Sequence, residues 1–189
     1  MKKYVYVIAM FALCVIGMSS ANAATVIKVN GEDTDCVDLF AGQTIVAGDV
    51  CFAADYDSNT LTIQFNPDVT QGWTLVETQL WLGTNLADMP QANNGNPIPG
   101  QFPYKRADGV YVLDLTDLGF ACPGPYTPLV AAHAAMARVV DGVTVQTETG
   151  WSDGDPFVEQ GNWGTYTAIK LTCVDHGGGG MFKETTDPQ

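Results

Sequence analysis

The chain has 189 residues, 46% of them hydrophobic and 15% charged, and its 8 Lys and Arg stand against 21 Asp and Glu for a formal net charge of −13. That apolar fraction is too high for a disordered chain, and no Gly-X-Y or heptad period marks a fibrous one; the length fits one domain. The acidity argues against a nucleic-acid binder, which needs clustered Lys and Arg to displace phosphate counterions.

The chain opens with a basic Met1-Lys2-Lys3, an apolar run from Tyr4 to Met18, and Ala21-Asn22-Ala23. This is the pattern of a secretory signal peptide over residues 1–23 with an A-x-A cleavage site. The run is too short to span a bilayer, which takes about 20 apolar residues. Cys14 lies in the apolar run without a lipobox around it, so a lipid anchor is not expected. No later segment is long and apolar enough to cross a membrane. The product expected is secreted, periplasmic or on the cell surface.

Thr25–Val29 reads as a first strand, ended by Asn30-Gly31, and Glu32, Asp33, Asp35 and Asp38 read as an acidic connector. Gln43–Phe52 is β-branched and interrupted by Gly48, as a bulged strand is. Asp55–Asn59 is a polar turn. Thr60–Phe65 alternates with period two, Leu61, Ile63 and Phe65 on one face. Trp73–Leu82 carries apolar residues on both faces and reads as a central strand. Gly83–Tyr104 is a long Pro-, Gly- and Asn-rich connection, of the kind that is usually functional or mobile. Val110–Leu115 is a further strand.

Residues 129–149 pose a conflict. Ala131, Ala132, Ala134, Ala135 and Ala137 favour a helix by propensity, whereas Leu129-Val130, Val139-Val140 and the run Val143–Thr149 are strand-like. Asp141-Gly142 suits a two-residue hairpin loop, so the segment is predicted as a β-hairpin. Trp163–Cys173 is the last strand. Strands at short intervals with Gly, Pro and Asn turns predict an all-β fold, a single-domain antiparallel β-sandwich over residues 24–176. Gly177–Gly180 opens a flexible C-terminal tail over 177–189.

Beyond the signal the cysteines are Cys36, Cys51, Cys122 and Cys173, an even count that points to two disulfides in an exported chain. Of the three pairings, Cys36–Cys51 with Cys122–Cys173 is favoured. The first closes a short loop and the second ties the segment before Pro123-Gly124-Pro125 to the last strand. A zinc site is disfavoured, because structural zinc ligands come in close C-x₂₋₄-C pairs and none is present.

Ala41-Gly42-Gln43 with Ala47-Gly48-Asp49-Val50, then Gly72-Trp73, Gly95-Asn96-Pro97-Ile98-Pro99-Gly100-Gln101-Phe102-Pro103-Tyr104, Ala131-Ala132-His133-Ala134, Glu148-Thr149-Gly150-Trp151 and Gly161–Tyr166 form a pattern over most of the chain. It resembles a module of secreted bacterial proteins that has no assigned activity. The resemblance implies an exported all-β domain and supports a strand around His133. It implies no catalytic residue and no required cofactor.

Several residues invite chemistry. Glu77, Glu148, Asp153, Asp155 and Glu159 could supply a glycosidase pair only if two carboxyls stood about 5–9 Å apart with split pKa values. Asp55-x-Asp57-x-Asn59 opens like a calcium loop but has Thr60 where an EF-hand needs Gly and Asn66 where it needs Glu, so any calcium there would be weakly held. Such turns also satisfy themselves without metal. His133, among alanines, reads as a strand or core histidine; His176 adjoins the glycine run. No serine stands in a nucleophile elbow. Trp81 reads as core, while Trp151 beside Asp153-Gly154-Asp155 is the best candidate for a sugar-stacking face, ahead of Trp163.

Three functions are therefore expected in descending order. The first is a non-catalytic secreted or cell-surface module that binds a protein partner or self-assembles at its sheet edges, with Thr25–Val29 as a candidate donated strand. The second is a calcium-assisted glycan-binding module using Trp151, Asp153 and Asp155 with Asn96 and Tyr104 of the long loop. The third is a secreted hydrolase.

Overall fold

A computed structural model describes residues 26–29, 31, 34–120, 124–159 and 162–172. The expected signal and its cleavage site, Cys122, Cys173, His176 and the glycine-rich tail lie outside the described residues, and so does the expected second disulfide. The described chain is all-β, with strands β1 (Val26–Val29), β2 (Cys36–Ala41), β3 (Ile45–Asp55), β4 (Thr60–Pro67), β5 (Trp73–Gly83), β6 (Tyr104–Arg106), β7 (Val110–Asp114), β8 (Leu129–Val140), β9 (Val143–Ser152), β10 (Asp155–Pro156) and β11 (Thr165–Thr172). Short 3-10 turns occupy Val69–Gln71, Leu86–Asp88 and Pro99–Gln101. Among the described residues no helix is long and apolar enough to cross a membrane.

Every strand pairing is antiparallel, and the neighbours run β6-β5-β8-β9-β2-β3-β4-β7. β11 joins β8 beside β9 and carries β1 and β10. The two ends of this path, β6 and β7, are consecutive in the chain and face each other. Tyr104 and Tyr111 meet edge-on with centroids 6.5 Å apart, and the Tyr111 hydroxyl lies 2.7 Å from Thr78 Oγ1 and donates to Thr78 O at 3.0 Å. The result is one nearly closed, barrel-like sheet, where the sequence pointed to two separate packed sheets. Strand β2 makes the difference. It was read as an acidic connector, yet it pairs β3 along its length and β9 over Leu39–Ala41, stitching the halves together.

Local sequence explains the irregular points. Leu39 faces Gly48 and Phe40 faces Val46, so Ala47 is an extra residue and β3 bulges there, as expected. A Cβ on Gly48 would stand 2.1 Å from Asn66 O of β4, so only glycine fits. At the β8–β9 turn, Asp141 and Gly142 take φ of 50° and 77°, the two positive values a type I′ loop requires. That loop chemistry overrides the helix propensity of the alanines, and 129–140 is a strand. Cys36 and Cys51 oppose each other directly across β2 and β3 and are disulfide-bonded, with Cα atoms 4.0 Å apart.

Alternation on β5 and β8 divides the apolar residues between two clusters. Leu80, Val130, Ala132, Ala134 and Met136 turn inward with Leu39, Val50, Phe52, Leu61, Ile63, Trp73, Tyr111, Ile169 and Leu171 to form the main core. Trp81, Ala131 and Trp151 turn outward, where Met89 and Phe102 of the long 84–103 connection cover them. Leu86, Leu129, Phe157 and Trp163 complete this outer cluster.

Candidate functional site

The outer cluster settles where Trp151 lies. It is 3% exposed. Its ring meets His133 at 4.7 Å, Phe157 at 5.4 Å and Phe102 at 6.3 Å, each edge-on, the geometry that aromatic quadrupoles favour in a core. The expected sugar-stacking face is therefore not formed, because two connections fold over it. Trp73 and Trp81 are core residues too, and Trp163 is half-buried against the outer cluster.

His133 sits under the same cover. Gln79 gives its amide hydrogen to Glu77 Oε2, which turns Gln79 Oε1 toward His133 Nδ1 at 2.6 Å. An amide oxygen only accepts, so Nδ1 carries the proton and donates. Burial pushes His133 down to about 4, so the ring is neutral at neutral pH. Its partners are an amide and an indole edge, and it stands half-buried on strand β8.

The other glycan-binding candidates do not converge on Trp151. Asp153 and Asp155 are exposed on either side of Gly154, with Asp153 N donating to Asp38 O at 2.7 Å. Asn96 Oδ1 is buried without a hydrogen-bond partner, while its backbone N donates to Asn94 Oδ1 at 3.2 Å. Tyr104 packs against the main core, on the other side of the sheet from Trp151.

Of the three calcium candidates, Asp55 and Asn59 commit their side chains locally. Asp55 Oδ1 accepts from the backbone of Asp57 (2.9 Å) and Ser58 (3.2 Å), and Oδ2 accepts from Ser58 Oγ (2.7 Å). These bonds hold the Asp55 carboxyl below the usual range, the Ser58 hydroxyl contributing most. Asn59 turns away, donating to Asp114 Oδ1 at 3.0 Å and Thr116 Oγ1 at 2.6 Å. Among the described residues, metal-ligand atoms do gather at Cys36, Asp49 and Cys51, where the sulfurs are spent in the disulfide. Asp49 accepts there from Asn66 Nδ2 at 2.7 Å.

Of the five carboxylates expected to supply a glycosidase pair, Asp153, Asp155 and Glu159 are exposed, and Glu77 and Glu148 are engaged along their own strands. Glu77 accepts from Gln79, and Glu148 Oε1 accepts from Gln146 Nε2 at 3.1 Å.

The feature that sequence reading did not single out is the outer half of the β8–β9 hairpin. β9 pairs β8 along its length but meets β2 only at Gly150–Ser152. Gly42 N donates to Thr149 O at 2.8 Å, and there β2 leaves. From Val143 to Glu148 the far edge of β9 has no strand beside it among the described residues. Val140, Val143 and Val145 are 44%, 63% and 57% exposed. Val76 of β5, 57% exposed, lines a depression of about 490 Å³ with Ala135, Thr147 and Thr149 of the same hairpin. The available signal was the run 143–147, two valines and two threonines with Gln146 and no ionisable side chain among them.

No family model, no curated protein and no solved structure matches this chain.

Proposed function

We propose that this protein is an exported, non-catalytic interaction module that engages protein through the outer half of its β8–β9 hairpin. The observation that carries the reading is the open β9 edge from Val143 to Glu148, flanked by exposed valines. An unpaired edge offers backbone N–H and C=O groups to another strand, and branched side chains on such an edge add packing to that pairing. Soluble proteins usually blunt their edges with Lys, Pro, inward charges or bulges. Here the edge carries no Lys or Pro from Val143 to Glu148; a bulge at Val145, between the pairs Arg138–Gln146 and Val139–Thr144, and the half-buried Glu148 at its end are the devices present. Behind the hairpin, the disulfide between β2 and β3 and the two apolar clusters give the edge a rigid base. Export rests on the signal-like segment 1–23 and on the disulfide, which suits an oxidising compartment.

A photo-crosslinking residue at Val145, compared with one at the equally exposed Val112 of β7, tests the reading on cells that make the protein. Protein adducts from position 145 and few from 112 are expected. No adduct from 145, or equal adducts from both, contradicts it.

A further inference from the structure

We infer that the partner of the open β9 edge is the β9 edge of a second copy, the two strands pairing antiparallel about a two-fold axis near Gln146. The inference rests on the proposed interaction role of this hairpin and names its partner. Charge is the first argument. A chain with a formal net charge of −13 repels its own copies, so two copies can approach only where neither presents carboxylates. Between Asp141 and Glu148 the strand is Gly142-Val143-Thr144-Val145-Gln146-Thr147, with no ionisable side chain.

Symmetry is the second argument. Antiparallel pairing of one strand with itself is isologous, so the same residues serve both sides and the assembly closes as a dimer. With the axis at Gln146, Val145 opposes Thr147 and Glu148 opposes Thr144; Thr149, whose carbonyl already accepts from Gly42, stays outside the pairing. Branched residues face branched residues, pairs worth roughly 0.2–1 kcal/mol each across strands. The carboxylate faces a hydroxyl. The two copies of Glu148 then lie four residues out of register, about 14 Å apart at about 3.4 Å per residue, beyond the Debye length of about 8 Å at physiological salt. Moving the axis anywhere between Val145 and Thr147 still sets Glu148 against Gly142, Val143, Thr144, Val145 or Gln146, all uncharged.

Short of Thr149, where Gly42 stands beside the strand, the open edge is also sterically clear. Thr144, Val145 and Thr147 are exposed, and the 490 Å³ depression behind Thr147 and Thr149 leaves room on the outer face for the partner's side chains. Pairing would extend the sheet through β9 into a second molecule and bring the valines of both hairpins together.

Sedimentation velocity of the full chain, purified from the cells that make it, tests this over about a hundredfold concentration range. The weight-average mass should climb from that of one chain to twice that mass as concentration rises. Val143→Lys with Val145→Lys should hold it at one chain while leaving the thermal unfolding midpoint within about 2 °C, since exposed substitutions change stability little. Val112→Lys should leave the dimer intact. A wild-type monomer throughout, a dimer that survives the two lysines, or one broken by Val112→Lys overturns the inference. A monomer that still gives adducts to other proteins from position 145 overturns self-pairing alone; a monomer with no adducts removes the interaction role as well.

Discussion

Strand β9 has one neighbour, β8, along its whole length, yet its two halves live in opposite surroundings. Gly150, Trp151 and Ser152 are buried, with β2 on the far edge, the main core beneath and the outer cluster above. Val143 to Glu148 have no strand on the far edge among the described residues and are exposed, except for the half-buried Gln146 and Glu148. Both halves are strand, the outer one with a bulge at Val145, because the β8 ladder and the Asp141-Gly142 loop set them. Burial differs because it depends on other segments: β2, the 84–103 connection, and Phe157 and Trp163. A ladder makes a strand; only its other edge and its two faces decide whether it is core or contact surface.

The largest expected effect tests the buried half. Trp151→Ala removes the ring that His133, Phe157 and Phe102 pack on, and should cost about 3–5 kcal/mol in urea unfolding, the usual range for a large aromatic lost from a core. A loss under about 1 kcal/mol would make the outer cluster a loose cover and erase the contrast.

The next effect is a pH dependence confined to that half. His133 falls from 6.5 to about 4 on folding, so between those values the unfolded chain takes up a proton that the folded chain refuses. Its contribution to stability is complete above about pH 6.5 and is lost as pH falls toward 4, to the extent of roughly 3 kcal/mol. His133→Gln, which keeps a partner for Gln79 but does not titrate, should flatten the stability curve over this window. A variant that keeps the wild-type slope would place the titration elsewhere.

The smallest effect belongs to the exposed half. Val145→Lys should change unfolding free energy by no more than about 0.5 kcal/mol, because the side chain buries little in the single chain. A cost above about 1.5 kcal/mol would show that Val145 is packed within its own chain, and the two halves would no longer differ in kind.

Much of this contrast was legible residue by residue and some was not. The hairpin could be read because Asp141-Gly142 and the valines at both strand ends are local signals, strong enough to outweigh five alanines. Strand β4 and the bulge at Gly48 were likewise written in alternation and in a single glycine. Strand β2 was missed because Asp35 and Asp38 look like a connector, although Val37, Leu39 and Ala41 alternate around Asp38 and turn toward the core. That omission hid the joint between the halves of the sheet, and with it the near closure of the barrel. Trp151 was misplaced for a related reason. Its neighbours Ser152-Asp153-Gly154-Asp155 are polar, but the residues that bury it come from about 50 positions upstream, at Phe102, and from the chain that follows, at Phe157. The open edge was invisible for the same cause: which side of β9 lacks a neighbour depends on where β2 stops, and no local pattern records that.

Amide hydrogen exchange read separately over 142–149 and 150–152 separates the open half of β9 from the covered one. At low concentration the outer segment should exchange much faster than the buried one. At high concentration protection of 142–149 should rise while that of 150–152 stays constant, as expected if a second copy covers the open edge. Equal protection of the two segments at low concentration, or protection of 142–149 that does not change with concentration, would contradict the account.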